Sequence, residues 1–205
     1  MIKTRMKTAF VVAFALALAV ASAVSPVMAA GSPKGNPGWV GNDYFAHHTD
    51  SHLKELLAKV ERAHLAGSNF YAKWHAGDIQ YALGDLNYTL WVFPNHPKAL
   101  HYMCAIAKTT EEYSLPIEPF QTALEKFPQH AITHAQFGRY LVEIGEIEGG
   151  MKKLETALTL DPDLAPGHAW MAEAYLAAGA TSQAMTSVTK ARELGFSGKI
   201  KGLDQ

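Results

Sequence analysis

Ten histidines stand out in a chain of 205 residues that carries a single cysteine. Imidazole is the commonest transition-metal ligand. His47, His48 and His52 lie close together in sequence, with His64 and His75 beyond them. In a helix His48 and His52 share one face, as do His130 and His134. A zinc or copper centre needs three or four ligands in fixed geometry, and a helical i, i+4 pair supplies only two. Neither HExxH nor the CxxCH of covalent haem attachment occurs. The histidines therefore read chiefly as packing residues, and no metal ligand is assigned. The His47/His48/His52 group is the least explained, and it carries an alternative reading as a metal-handling cluster.

Other chemistry is sparse. There is no GxSxG, no P-loop, no GxGxxG following a strand and no zinc-deaminase signature. The acids fall mostly on positions such as Glu111, Glu112, Glu146 and Glu148 that face solvent in a helix. The sequence thus predicts a non-catalytic protein that needs no cofactor.

The segments that must position any site begin after the first thirty residues. Lys3, Arg5 and Lys7 precede an almost unbroken Ala/Val/Leu/Phe run from Ala9 to Val24, then Pro26 and Val27-Met28-Ala29. That order is a secretory signal peptide, residues 1–29, cut after Ala29, which predicts a periplasmic or secreted protein. The apolar run is short for a membrane span, so no integral span is expected once the signal is removed. Fifteen of the 18 Lys and Arg then remain against all 19 acids, a net charge of −4. A mildly acidic chain has no electrostatic reason to seek nucleic acid. With Cys104 alone, no intrachain disulfide can form. Residues 30–50, including the Gly/Pro-rich Gly31–Gly41, read as a flexible leader. From Ser51 onward Leu53, Leu56, Leu57 and Val60 recur at helical spacing, with Asp50 or Ser51 as the N-cap.

The breaks in that helical pattern are regular. Pro94, Pro128 and Pro162 are evenly spaced, and Ala123, Ala157 and Ala191 repeat the same interval. Leu86, Phe120, Leu154 and Val188 form an apolar column at that interval too. A 34-residue period marks a stacked helix-turn-helix repeat, and the columns resemble those of the tetratricopeptide family. Units starting at 63, 97, 131 and 165 place the turn proline at 94, 128 and 162. The small residue of the first helix falls on Phe70, Cys104, Gly138 and Ala172, and the inter-helix glycine on Gly77, Gly145 and Gly179, with Glu111 in the second unit. Phe70 is too large for that packing, so residues 63–77 are not expected to form a regular first helix. The expected organisation is N-terminal capping helices and a partial first repeat over 51–96, three repeats over 97–198 and a tail over 199–205.

The resemblance implies an all-α fold, a right-handed superhelix of stacked antiparallel helix hairpins with about 3–4 repeats. It also implies that successive first helices line one concave groove that holds a protein or peptide partner. Carried over position by position, the partner-binding candidates are His101, Tyr102 and Lys108, then Gln136, Arg139 and Glu143, then Trp170 and Glu173. Tyr, Trp and Arg are the types that dominate interface energies. The leading expectation is an exported scaffold or adaptor. Self-association through the C-terminal hairpin is a further alternative, because residues 197–205 are too short and Gly-broken to form another helix over the end of the stack.

Overall fold

The computed structural model describes residues 40–65 and 68–203, which belong to one compact unit spanning 34–205. The expected signal peptide, residues 1–29, and most of the expected leader lie outside the described residues. Everything described is helix and turn. A 3-10 helix, η1 (Tyr44–His48), is followed by α1 (Ser51–His64), α2 (Ser68–His75), α3 (Ile79–Val92), α4 (Pro97–Thr110) and α5 (Ile117–Lys126). The remaining helices are α6 (Ala131–Glu143), α7 (Ile147–Leu160), α8 (Ala165–Ala177) and α9 (Thr181–Glu193). The helices pair closely as hairpins α2–α3, α6–α7 and α8–α9, whereas α4 and α5 stand farther apart and α5 lies against α6. No described helix is long and apolar enough to cross a membrane.

The pitch is constant where the sequence columns place it. First helices α4, α6 and α8 begin at 97, 131 and 165, and second helices α3, α5 and α7 end at 92, 126 and 160. Each of these second helices stops just short of the residue that precedes proline. Phe93, Phe127 and Asp161 all take extended ψ values of 66–94°, because the proline ring excludes helical backbone at the preceding residue. The second-helix columns are core: Leu86, Phe120, Leu154 and the small residues Thr89, Ala123, Ala157 and Ala191 are all fully buried. The fold is that of tetratricopeptide-type hairpins.

Left-handed turns close the hairpins. Gly77, Gly145 and Gly179 take φ of 82°, 93° and 76°. After each, the amide of the next residue bonds back across a helical turn, as Glu146 N–H does to Leu141 O at 2.8 Å, the Schellman arrangement. A Cβ at these three glycines would meet nothing within 4 Å, so backbone conformation and not space selects glycine. Glu111 occupies the same place in the second unit at φ 59° without glycine's freedom. There the connection is longer, Pro116 delays α5, and the Tyr140 hydroxyl donates to Tyr113 O at 2.7 Å to hold it. Gly138 is different. A Cβ there would lie 2.7 Å from Gly150 O and 2.8 Å from Leu154 Cγ, so α6 and α7 touch through bare backbone.

The first unit has a shorter first helix than the others. α2 has 8 residues against 14 in α4, and Phe70, buried in the main core, stacks on Tyr102 at 5.2 Å. Residues 41–50, read from sequence as part of a flexible leader, are instead pinned to the repeats. Gly41 and Asn42 amides donate to Trp91 O and Val92 O, and Tyr44 N–H donates to buried Asn95 Oδ1 at 2.8 Å. Asp43 caps η1 and accepts from Asn95 Nδ2 (2.7 Å) and His130 Nε2 (2.9 Å). Burial pushes the Asp43 carboxyl up, but these hydrogen bonds outweigh it and hold the group below the usual carboxylate value. The open end expected after α9 is covered too, since Ile200 folds back and is fully buried.

His96, also fully buried, caps α4: its Nδ1 accepts the Ala99 N–H at 3.2 Å. A protonated ring would lose that acceptor. Glu61 Oε1 lies 3.2 Å from Nε2, yet burial prevails and pulls the imidazole down to about 4.

Two expectations follow from the backbone. Replacing Glu111 with Gly should stabilise the chain by about 0.5–1 kcal/mol, the left-handed strain of about 1–2 kcal/mol less glycine's greater unfolded-state entropy. Gly138→Ala should cost about 1–3 kcal/mol through overpacking. Urea midpoints at unchanged m-value check both. For His96 the unfolded ring binds a proton near pH 6.5 and the folded ring only near 4. Stability is then complete above pH 6.5 and falls by about 3 kcal/mol as pH drops to 4. His96→Asn, which keeps the capping acceptor, should flatten that fall in urea titrations at successive pH values.

Candidate functional site

Helical spacing puts His101, Cys104 and Lys108 on one face of α4, and Gln136, Arg139 and Glu143 on one face of α6. The constant pitch then aligns these faces with Trp170 and Glu173 of α8. A cleft of about 130 Å³ lies between them, lined by His101, Lys108, Gln136, Arg139, Glu143 and Trp170 with Cys104, Phe120 and Tyr140 behind. Of the eight residues expected from sequence, six line this cleft, and Glu173 joins it through Arg139.

One line of charge crosses the three helices. Lys108 Nζ lies 2.5 Å from Glu143 Oε2, and Arg139 Nε lies 3.2 Å from Glu143 Oε1 and 3.3 Å from Glu173 Oε2. Glu173 Oε1 in turn accepts the Lys201 N–H at 2.9 Å. Two cations thus balance two carboxylates whose side chains are only 15 % and 7 % exposed, which is the condition for burying charge without a large penalty. The Arg139 guanidinium also sits 5.2 Å from the Trp170 ring centre, in cation–π range. The balance is electrostatic more than directional. Arg139 Nε–H points squarely at neither carboxylate and Gln136 Oε1 has no donor, although Gln136 Nε2 donates to Pro97 O at 3.0 Å. Burial and the nearby Arg139 and Lys108 cations pull the His101 imidazole below its ordinary value against the pull of Glu143, so the ring is neutral near pH 7.

Tyr102 is the residue that the structure places elsewhere. It packs with Phe70, Tyr71 and Trp74 of α2, its hydroxyl bonded to that of Tyr71 and Lys98 Nζ 5.7 Å from its ring. Burial and the Tyr71 bond raise its phenol. Cys104, Phe120 and Tyr140 were not read as cleft residues. Helical spacing from His101 and Gln136 would have found Cys104 and Tyr140, but Phe120 comes from a second helix and follows only from the packing. Burial pushes the Cys104 thiol up to about 12, which leaves it inert.

Several of the remaining histidines have structural partners, while His48, His52 and His75 are exposed. His134 and His168, one pitch apart, each donate from Nε2 to the carbonyl of the turn proline six residues earlier, Pro128 and Pro162, at 2.8 Å. His64 Nδ1 meets Asp85 Oδ1 at 2.7 Å, tying α1 to α3. His47 is bonded to the Tyr44 carbonyl and stacked against His48. Among the described residues no three His, Cys, Asp or Glu side chains converge as a metal site.

Neither a protein-family model nor any curated protein matches the chain. Similar solved structures include "Crystal structure of MamA" (16% identity, 70% of this chain and 87% of that one, TM-score 0.47). Another is "MamA 41-end from Desulfovibrio magneticus RS-1" (19% identity, 73% and 89%, TM-score 0.47). The repeat fold stated above stands on the chain's own equivalences from one unit to the next.

Arg139→Ala should destabilise the chain by about 2 kcal/mol, because it leaves Glu143 and Glu173 partly desolvated and unmatched. Adding Glu173→Gln should recover part of that loss. A double-mutant cycle by urea unfolding is expected to give a coupling of about 1 kcal/mol or more between the two positions; additive effects would show that they do not interact.

Proposed function

We propose that the chain is an exported, non-catalytic scaffold that holds an extended segment of a partner protein along the cleft formed by α4, α6 and α8. The observation that carries this reading is the single chain of charge, Lys108–Glu143–Arg139–Glu173, that joins three successive first helices on one face beneath Trp170. Its cations are already matched by its own carboxylates. The face therefore has no surplus charge with which to clamp an acidic terminus. It offers instead a neutral imidazole and an aromatic ring. These suit a peptide's backbone amides and uncharged side chains, recognised by a few buried anchors within a polar surround. Export rests on the charged, apolar and small-residue order from Met1 to Ala29.

Photocrosslinking in the native envelope tests both parts. A crosslinking residue at the exposed position His101 should capture one discrete partner, whereas the same residue at Gln121 on α5 should not. Trp170→Ala with Arg139→Gln should reduce that capture at least tenfold. The recovered chain should begin at Ala30. Equal capture at both positions would remove the groove from the reading, and an intact Met1 would remove export.

A further inference from the structure

Two opposite faces of α8 serve different surfaces. Trp170 and Glu173 turn toward the cleft described above. His168, Met171 and Tyr175 share the other side at helical spacing and line a second groove. Its walls are the second helices α7 and α9, and Leu158 of α7 joins Met171 and Tyr175 in an apolar floor. The groove holds about 830 Å³ against about 130 Å³ for the cleft, so it has room for more than one side chain.

The rim of this groove is acidic. Glu155 stands on the α7 wall and Glu193 on the α9 wall, both exposed, and among the described residues neither carboxylate meets a cation within 4 Å. The ammonium of Lys190, also on the rim, already lies 3.6 Å from Asp163 Oδ1. Its charge is therefore matched, and the two glutamates remain in surplus. An apolar floor beneath a negative rim is complementary to a positively charged amphipathic segment.

The walls also select the conformation of that segment. The Thr159, Thr186 and Thr189 hydroxyls donate one turn back within their own helices, to Glu155 O, Ser182 O and Met185 O at 2.8–3.3 Å. His168 Nε2 is committed to Pro162 O at 2.8 Å. An extended segment would bring a row of amides and carbonyls to walls that offer no backbone row to pair with them. A helix satisfies its own backbone and presents only side chains.

We propose that the α7–α9 groove docks a cationic amphipathic helix of a partner protein. Its apolar side chains rest on Leu158, Met171 and Tyr175, and its Lys or Arg side chains meet Glu155 and Glu193. Met171 suits such a floor because an unbranched, polarisable side chain adapts to the shape laid on it. The rim pairs are exposed, so they set attraction and orientation more than affinity, and binding weakens as salt rises. The groove lies across α8 from the cleft, and the two surfaces can be occupied together.

A fluorescent synthetic peptide of about 18 residues, with Leu on one helical face and Lys on the other, tests this by titration with the purified chain. It should bind, and more weakly as salt is raised. A scrambled peptide of the same composition, and a Leu/Glu peptide of the same pattern, should bind at least tenfold more weakly. Glu155→Lys with Glu193→Lys should cut binding of the Leu/Lys peptide at least tenfold. Glu112→Lys with Glu125→Lys, an equal change of net charge at exposed positions elsewhere, should leave it within about twofold. Equal losses in the two double variants would reduce the attraction to net charge and overturn the proposal. So would an absence of binding, or equal binding of the three peptides. A photoreactive leucine in the Leu/Lys peptide locates the site on the unaltered chain. Adducts should fall at Leu158, Met171 or Tyr175, and adducts confined to any other surface, the cleft around Trp170 included, would overturn it as well.

Discussion

The close approach of paired helices at a fixed pitch is the constraint on which the rest of this structure depends. Each hairpin buries too little apolar surface to stand alone, so it must repeat the same contact with the next. That contact is made by small residues. Thr89, Ala123, Ala157 and Ala191 are fully buried at one level of the second helices, and Gly138 lets α6 meet α7 through backbone alone. A larger side chain at any of these places would change the angle between helices. With a changed angle, α4, α6 and α8 would no longer present their faces to a common cleft. The left-handed turns at Gly77, Gly145 and Gly179 serve the same end, because they return each chain direction at the same length.

Once the pitch is fixed, the charge line is a consequence of it. Lys108, Arg139, Glu143 and Glu173 come from three helices far apart in sequence, yet their charged groups lie 2.5–3.3 Å apart. Four charges placed this close need mutual compensation, and they find it within the face that they form. The result is a cleft whose polar groups are already held in place, which would lower the ordering cost of the binding proposed for it. The same pitch explains two histidines that would otherwise invite a metal. His134 and His168 are one unit apart and perform one task, closing the proline turn that starts each first helix.

The two ends of the stack obey different rules, because an end has no neighbour. At the N-terminal side the chain fills the shortened α2 with Phe70 and Tyr102, and adds α1, η1 and the pinned segment around Asp43. After α9 the chain turns back, and Ile200 lies buried against Ala169, Ala172 and Ala191 with Val188 and Phe196 beside it.

Much of this was written in the sequence, and for a definite reason. Periodicity is a local property repeated, so proline and alanine columns at one constant interval fix helix ends, hairpin pairing and the alignment of first helices without any long-range information. Carried over from the tetratricopeptide resemblance, His101, Lys108, Gln136, Arg139, Glu143, Trp170 and Glu173 fall around one cleft, whereas Tyr102, assigned in the same way, packs on α2. Contacts that do not repeat left no such trace. Asp43 with Asn95 and His130, Tyr102 with Tyr71, and Ile200 with Ala169 each occur once, between segments whose separation follows no period. Only the folded chain decided them, since a Gly-rich leader and a short polar tail reveal their order only when a surface exists for them to lie on.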